Sequence, residues 1–186
     1  MQKNTIKKIN HWVWLDLEMT GLDEDECAIL EIAMIITDAN FNHLDLINLT
    51  IWQPESILEK MVPLVRNMHT KNGLLKKVRL SNISTEQAQI KLIEIITKHV
   101  PFKKGILAGN SIYLDRRFLH KYMPIIDNYL HYRHLDVSSV KTLTENWFHN
   151  KGKAPKKIST HTAMSDIKQS IEELKFYKEN CFKASI

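Results

Sequence analysis

The sequence predicts a single α/β domain in which a central sheet of about five strands is flanked by helices. Strand-like patterns cover residues 11–18, 28–38, 42–53, 105–110 and a short stretch that ends near Asp136. From Pro54 onward the apolar spacing becomes helical, and the two later strands alternate with helices, as is typical of α/β domains. A length of 186 residues supports one sizeable core, so we expect one domain spanning residues 1–186.

The helices are predicted from their start and stop signals. Residues 84–100 begin with Ser84 and Gln87 in capping-box spacing. The segment that follows strand 105–110 has helical spacing, and Pro124 is expected to end it. The caps expected for the last two helices are Ser138 or Ser139 and Ser159 or Thr160.

Composition narrows the function classes. The chain carries 26 Lys and Arg against 21 Asp and Glu, a net charge of +5 that suits an anionic partner such as nucleic acid. No stretch approaches the roughly 20 apolar residues of a membrane span, and the start "MQKNTIKKIN" leads into "HWVWLDLE" instead of an apolar signal segment. Cys27 and Cys181 form no CxxC pair. We expect a soluble cytoplasmic protein with no membrane partner.

The first candidate site residues are two acids in the strand "WVWLDLEMTG". Side chains two apart in a strand project from the same face, so Asp16 and Glu18 present their carboxylates side by side. Trp12 and Trp14 share that face. Because charged groups are seldom buried without a partner, the pair indicates a metal or acid/base role, and the alternative is an ordinary solvated sheet face.

Two later stretches supply further acids and a histidine. Asp115 lies one turn inside the helix that follows strand 105–110, a position from which side chains converge on the sites of α/β sheets. His161 and Asp166 lie five residues apart, and side chains with that spacing on a regular helix point about 140° apart. Both can reach one site only if His161 lies at or before the first turn. Considered alone, Asp115, which two arginines follow on a predicted helix, is more typical of a salt-bridged surface than of a functional site.

Together these stretches resemble the DEDDh group of RNase H-like 3′→5′ exonucleases, whose strand Asp-x-Glu, later helical Asp and final His-x4-Asp match Asp16, Glu18, Asp115, His161 and Asp166 in order and spacing. The resemblance extends to the oligoribonuclease family. It is carried by "WLDLEMTGL", "EIAMIITDANFN", "GNSIYLDRRFL", "KYMP", "HYRHLDVSS" and "THTAMSDI", which span almost the whole chain. The resemblance implies an RNase H-like fold with a mixed central sheet.

The resemblance also implies a mechanism and cofactors. Two divalent ions, Mg²⁺ or Mn²⁺, would be held by Asp16, Glu18, Asp115 and Asp166, with Asp16 bridging both ions. Carboxylates suit such hard cations, and phosphodiester cleavage benefits from two of them. His161 would be the general base, since an imidazole can be neutral near the working pH. The implied activity is 3′→5′ hydrolysis of short single-stranded RNA, diribonucleotides especially, to 5′-mononucleotides.

Substrate contacts are implied in the same way. Leu22 resembles the apolar wedge between two bases, and His69 resembles a contact near the scissile end. Ser111, Arg133 and Ser138 match residues that hold the substrate's 5′ phosphate, a task suited to Arg. Tyr132 resembles a residue donated across a dimer interface, so a homodimer is implied.

The sequence departs from the family pattern at two places. Leu64 lies where the family usually has a Trp that stacks on a base, which puts the strength of binding there in doubt. Ser165 stands where a second Asp is common, which leaves Asp166 as the last acidic ligand. The alternatives are a DEDDh exonuclease that acts on longer DNA or structured RNA, and an RNA-binding module with an inactive nuclease fold. The second would require the loss of a catalytic position, and none is lost.

Overall fold

The computed structural model describes residues 11–148, 152–155 and 162–182. Its strands are β1 (His11–Met19), β2 (Ile29–Asp38), β3 (His43–Thr50), β4 (Gly105–Gly109) and β5 (His134–Asp136). They form one sheet in the order β3-β2-β1-β4-β5. β2 runs antiparallel to β1 and β3, whereas β4 runs parallel to β1 and β5. The expected mixed sheet of five strands is confirmed.

Helices cover both faces of this sheet. They are α1 (Glu55–Leu58), α2 (Pro63–Lys71), α3 (Leu74–Leu80), α4 (Thr85–His99), α5 (Tyr113–Tyr122), α6 (Pro124–Tyr129), α7 (Val137–Trp147) and α8 (Ala163–Asn180). The core on one face joins β1, β2 and β4 to α4, α5 and α6. The core on the other face joins the same strands to α7 and α8. None of the described helices combines the length and apolar character that crossing a membrane requires.

Alternation along β1 divides the two cores as expected. Val13, Leu15 and Leu17 pack towards α4, α5 and α6. Trp14 packs towards α8, and its indole Nε1 donates to Thr37 Oγ1 at 3.0 Å, which satisfies the one polar group of this buried ring. Asp16 has the parity of Trp14 and therefore projects from the face that α8 covers.

A third, smaller core lies at one end of the sheet. The pairing of β1 with β2 shifts after Glu18, because Glu18 pairs with Glu31 whereas Met19 pairs with Ile29. Leu30 is the extra residue of this bulge. It packs with residues of α1, α3 and the turn after α1 to form the α1–α3 cluster, which consists of Leu30, Leu58, Met61, Leu74, Leu75 and Val78. The bulge thereby attaches the α1–α3 segment to the sheet.

Several helix boundaries differ from the sequence-based expectation. Pro124 ends α5 at Tyr122 as expected, but it also begins α6, because the first helical position tolerates proline. The cap of α7 is Asp136 and not Ser138 or Ser139; its carboxylate accepts from Ser138 N at 2.8 Å.

The last helix, α8, begins at Ala163 with Thr162 as N-cap. The predicted caps Ser159 and Thr160 precede that start and lie outside the described residues, so the prediction that they cap α8 was wrong. By contrast, the capping box of Ser84 and Gln87 at the start of α4 is confirmed.

Candidate active site

Three of the predicted acids meet where β1 passes under the start of α8. Asp16 and Glu18 lie near the carboxyl end of β1, and Asp166 lies in the first turn of α8. One carboxylate oxygen from each lies within 4.8 Å of those of the other two. Glu18 is buried, whereas Asp16 and Asp166 are partly accessible, so the cluster opens to the surface. Carboxylates at this spacing form a site suited to a hard divalent cation.

Asp115 approaches the same acids from the other layer of helices. It lies in the first turn of α5, is buried, and its Oδ1 accepts from the backbone N of Leu17 at 2.9 Å. This hydrogen bond spans 98 residues of sequence and fixes Asp115 beside the strand segment between Asp16 and Glu18. The structure therefore brings all four predicted acids to one place, with Asp115 next to the three-residue cluster.

The electrostatics of the cluster reflect its crowding. Burial raises the pKa of Asp16 well above its usual range, and the neighbouring Asp115 and Asp166 raise it further. Burial raises the pKa of Glu18 to about 7, assisted by repulsion from Asp166 and Glu31. Burial also raises the pKa of Asp115, although the hydrogen bond from Leu17 N opposes that rise. The arrangement disfavours several ionised carboxylates at once unless a positive charge joins them.

Glu31 is a fifth acid that the sequence analysis missed. It pairs with Glu18 across β1 and β2 and is 2% exposed. Its Oε2 accepts from Ala163 N at 3.1 Å, and its Oε1 accepts from Asn48 Nδ2 at 3.2 Å. Glu31 therefore satisfies an N–H group at the start of α8 in place of a local cap, and it fixes the turn that carries Asp166. The signal in the sequence was a charged residue inside the apolar run 28–38.

The two predicted histidines have different outcomes. His69 of α2 is completely buried, its Nε2–H donates to Met19 O at 3.0 Å, and Nε2 lies 3.9 Å from Glu18 Oε2. In this conformation its ring presents almost no surface to a substrate, and it instead supports the strand end that carries Glu18. His161 lies outside the described residues, so its role as general base stays a prediction.

The predicted wedge, Leu22, lies on an anchored loop. Its side chain is 67% exposed, on the segment between β1 and β2. This segment is tied to α5, where Arg117 donates to Glu24 at 2.7 Å and Lys121 donates to Asp25 at 2.9 Å. The anchors hold an exposed apolar side chain a few residues beyond Glu18, where the interpretation as a wedge requires it.

A second exposed apolar residue lies on the α2 side. Leu64 is 80% exposed in the first turn of α2, the helix that also carries the buried His69. Met61, just before this helix, is buried in the α1–α3 cluster. Leu64 thus lies at the surface, on a helix that is held in place by its buried neighbours. Because its side chain is exposed, a larger side chain at this position would fit.

The predicted 5′-end residues divide into two groups. Ser111 and Ser138 lie together, with their hydroxyls 3.2 Å apart and with Ser111 N donating to Ser138 Oγ and to Asp136 Oδ1 at 3.0 Å. These bonds hold Ser111 at a φ of 48°, which is unusual for a residue other than glycine. Arg133 lies before β5, whereas Ser138 follows it, so the strand separates them by about 10 Å or more along its length.

Comparison with known proteins identifies the family. The family model described as "Exonuclease" matches residues 13–174. An oligoribonuclease of Francisella tularensis subsp. tularensis is 47% identical over 175 residues, which cover 94% of this chain and 97% of that protein. An oligoribonuclease of Chromobacterium violaceum is 43% identical with the same coverage. The chain belongs to the oligoribonuclease family of exonucleases. The predicted family is confirmed.

Solved structures support the fold of this oligoribonuclease family member. Exonuclease I of Methylocaldum szegediense superposes with a TM-score of 0.71 at 17% identity, and E. coli exonuclease I in complex with a dT13 oligonucleotide superposes with a TM-score of 0.69 at 15% identity. The matches cover 94% and 92% of this chain, which spans about two fifths (41%) of each of those proteins. At these identities the comparison confirms the RNase H-like exonuclease fold alone.

The serine that departs from the oligoribonuclease pattern has a local partner. Ser165 Oγ accepts from Gln169 Nε2 at 3.1 Å, one turn later on α8. Among the described residues of α8, Asp166 alone supplies a carboxylate to the cluster of three acids. Asp166 is therefore the described acid of α8 that lies in the cluster, and its role as a metal ligand stays a prediction.

Proposed function

We propose that this protein is a metal-dependent 3′→5′ exoribonuclease that hydrolyses short oligoribonucleotides, diribonucleotides above all, to 5′-mononucleotides. One observation carries the proposal: Asp16, Glu18 and Asp166 place carboxylate oxygens within 4.8 Å of one another in a chain that is 47% identical to an oligoribonuclease along nearly its whole length. Such a cluster suits metal-assisted hydrolysis of a phosphodiester.

The cofactors that fit this site are two divalent ions, Mg²⁺ or Mn²⁺. Asp16 would hold both, and Glu18, Asp115 and Asp166 would complete the ligand set. The raised pKa values of Asp16 and Glu18 support this assignment, because burial and, after it, repulsion from neighbouring acids disfavour the ionised carboxylates, and bound cations offset both effects. When bound, such ions supply a nucleophilic water at neutral pH and stabilise the charge on the departing 3′ oxygen.

The general base that we propose is His161. Because α8 begins at Ala163, position 161 comes before the first turn of the helix in the sequence. This meets the condition under which a His-x4-Asp pair can serve one site. A neutral imidazole there would accept the proton of the attacking water.

The substrate would lie across the exposed apolar residues towards the paired serines. Leu22 would separate the two bases, Leu64 would contact the base that a Trp contacts elsewhere in the family, and Ser111 with Ser138 would hold the 5′ phosphate. Recognition of the 5′ end at a fixed distance from the acids would favour a ligand of two nucleotides.

A homodimer would complete the 5′ end. Tyr132 and Arg133 lie at the opposite end of β5 from Ser138, so within one chain they are distant from the serine pair. Tyr132 is 71% exposed. We propose that a second copy of the chain supplies Tyr132 and Arg133 to the phosphate.

We also propose that the enzyme acts in the cytoplasm. Its two free cysteines suit a reducing compartment, and its net positive charge suits an RNA substrate.

A length series of labelled oligonucleotides tests the proposed activity. With Mg²⁺ or Mn²⁺ present, kcat/KM should be highest for diribonucleotides and should fall as the oligonucleotide becomes longer. Activity that holds or rises with length, or that prefers DNA, would instead favour the alternative of a DEDDh exonuclease for longer substrates. The absence of turnover with either metal would favour the non-catalytic RNA-binding alternative. Asp16→Asn protein is the matched control for contaminating nucleases.

A further inference from the structure

Residues 131–133, of which Tyr132 and Arg133 are exposed and His131 is half-buried, form a surface unit here named the 131–133 tip. The His131 and Tyr132 rings are stacked with centroids 4.5 Å apart, and the Arg133 guanidinium lies 5.4 Å from the Tyr132 ring centroid. Arg133 N donates to His131 Nδ1 at 3.0 Å. An exposed aromatic ring beside an arginine is a composition typical of recognition surfaces. The tip is thus organised by its own side chains before any ligand binds.

Arg116 holds this tip from beneath. Its Nη1 donates to Tyr132 O at 3.0 Å and its Nη2 donates to His131 O at 3.1 Å, so one guanidinium forms hydrogen bonds with two successive backbone carbonyls. Its Nε donates to Asp127 Oδ1 at 2.9 Å, and the other Asp127 oxygen lies 2.9 Å from His120 Nδ1. The Arg116 side chain is only 19% exposed. A planar fork can make these three directed contacts at once, and a lysine ammonium cannot reproduce them.

The position of Arg116 links the tip to the acids. It directly follows Asp115, whose carboxylate is fixed on Leu17 N of β1. Two consecutive residues of α5 therefore serve the two regions: Asp115 contributes a carboxylate to the site, and Arg116 holds the backbone of the tip. The rigidity of a helical turn sets the relation between them.

We propose that Arg116 is a positioning residue that holds the 131–133 tip in the conformation that binds the 5′ phosphate of the substrate in a second copy of the chain. The inference rests on the proposed function and adds a residue to it. Arg116 does not itself touch the substrate. It acts through the backbone of His131 and Tyr132, so its loss changes recognition of the 5′ end more than the hydrolytic step.

Arg116→Lys tests the inference, because lysine keeps the charge near Asp127 and loses the fork. Three substrates are compared: a 5′-phosphorylated diribonucleotide, the same diribonucleotide with a 5′ hydroxyl, and a nucleoside 5′-(p-nitrophenyl phosphate), which has no 5′ phosphate end to be recognised. The preference for the 5′-phosphorylated substrate, as a ratio of kcat/KM values, should fall about 10- to 100-fold, as small misplacements of binding groups do. This loss should exceed any change on the p-nitrophenyl ester at least tenfold.

Arg79→Lys is the matched control, because Arg79 also makes a forked pair, with Glu55, on the exposed surface of α3. It should leave the preference unchanged. Hydrogen exchange gives a second readout: amides of residues 131–133 should exchange faster in Arg116→Lys than in the parent protein, with those around Asp115 unchanged. If Arg116→Lys does not fold, Asp127→Asn, which weakens the anchor of the guanidinium, should lower the preference in the same direction.

Arg133→Ala separates failure of this inference from failure of the proposed function. If Arg133→Ala abolishes the 5′-phosphate preference and Arg116→Lys retains it, the positioning role of Arg116 is wrong and the proposed role of the tip stands. If a variant that combines Tyr132→Ala and Arg133→Ala retains the preference, the tip does not recognise the 5′ end and both proposals about it are wrong. An equal loss on all three substrates in Arg116→Lys would show a general structural effect and would also overturn the inference.

Discussion

Replacing Glu18 by Gln should stabilise the metal-free protein and weaken its response to metal. Burial and neighbouring acids raise the pKa of Glu18 from 4.5 to about 7. Because the folded-state value lies above the unfolded one, the ionised carboxylate destabilises the fold. This cost is absent below about pH 4.5, grows as the pH rises towards 7 and is complete above 7. At about 1.4 kcal/mol per pKa unit, it reaches about 3 kcal/mol.

Glu18→Gln keeps the shape of the side chain and removes the charge. At pH 8 in EDTA, its free energy of unfolding should therefore exceed that of the parent by up to about 3 kcal/mol, which for a chain of this length corresponds to roughly 6–12 °C in Tm. Near pH 4.5 the two proteins should unfold at similar temperatures. Mg²⁺ or Mn²⁺ at 100 times its Kd should cancel most of this difference, since the bound ion contributes about 2.7 kcal/mol to the parent and the variant has lost a ligand oxygen.

Thermal unfolding followed by circular dichroism, at both pH values and with EDTA or metal, measures all four conditions. Glu172→Gln is the control, because Glu172 lies on the same helix as Asp166 but its side chain is 69% exposed beside Lys175; its effect should stay within about 0.5 kcal/mol. A lower Tm for Glu18→Gln in EDTA at pH 8 would refute the reasoning about repulsion. An undiminished metal response would refute its role as a ligand.

Substitutions at three further positions test other parts of the site. His161→Ala should lower kcat by about 10²- to 10⁴-fold and leave the metal-induced rise in Tm intact, and near-parental turnover would contradict its role as base. Leu64→Trp should lower KM for diribonucleotides by up to about tenfold through stacking on a base, without a change in Tm, and an unchanged KM would place that base elsewhere. Glu31→Ala should cost about 1–3 kcal/mol by leaving Ala163 N unpaired and should speed hydrogen exchange at the start of α8; Glu31→Gln should restore much of both.

Local patterns in the sequence were sufficient to predict most of the fold. The alternation of β1 placed Asp16 on the face of Trp14, and the capping box at Ser84 located the start of α4, because both depend on residues close together in the chain. The start of α6 was missed because Pro124 was read only as a stop signal, although proline is equally suited to a first helical turn.

The supports of the site could not be predicted in this way. Glu31 serves as a cap for α8 only because the β1–β2 register brings it under Ala163, 132 residues later. Arg116 reaches the carbonyls of His131 and Tyr132 because α5 lies close to the segment that precedes β5. Both supports depend on tertiary geometry that spacing along the chain does not encode. The Asp136 cap of α7 was missed for a different reason: it is a local feature, since its carboxylate accepts from Ser138 N two residues later, and aspartate is as favourable a cap as serine.

The bulge at Leu30 marks the boundary between the α1–α3 segment, which carries Leu64, and the sheet, which carries Asp16 and Glu18. Leu64 is carried by α2, a helix of the α1–α3 segment, which has a small core of its own and contacts the sheet through Leu30 and through the hydrogen bond of His69 to Met19 O. Asp16 and Glu18, by contrast, belong to β1, the central strand of the sheet. Regions with a small core of their own open at lower free energy than the centre of a fold. We expect amides of α2 and α3 to exchange before those of β1. If Leu64 contacts a base as proposed, this difference would let the enzyme release its product while the acids keep their arrangement for the next turnover.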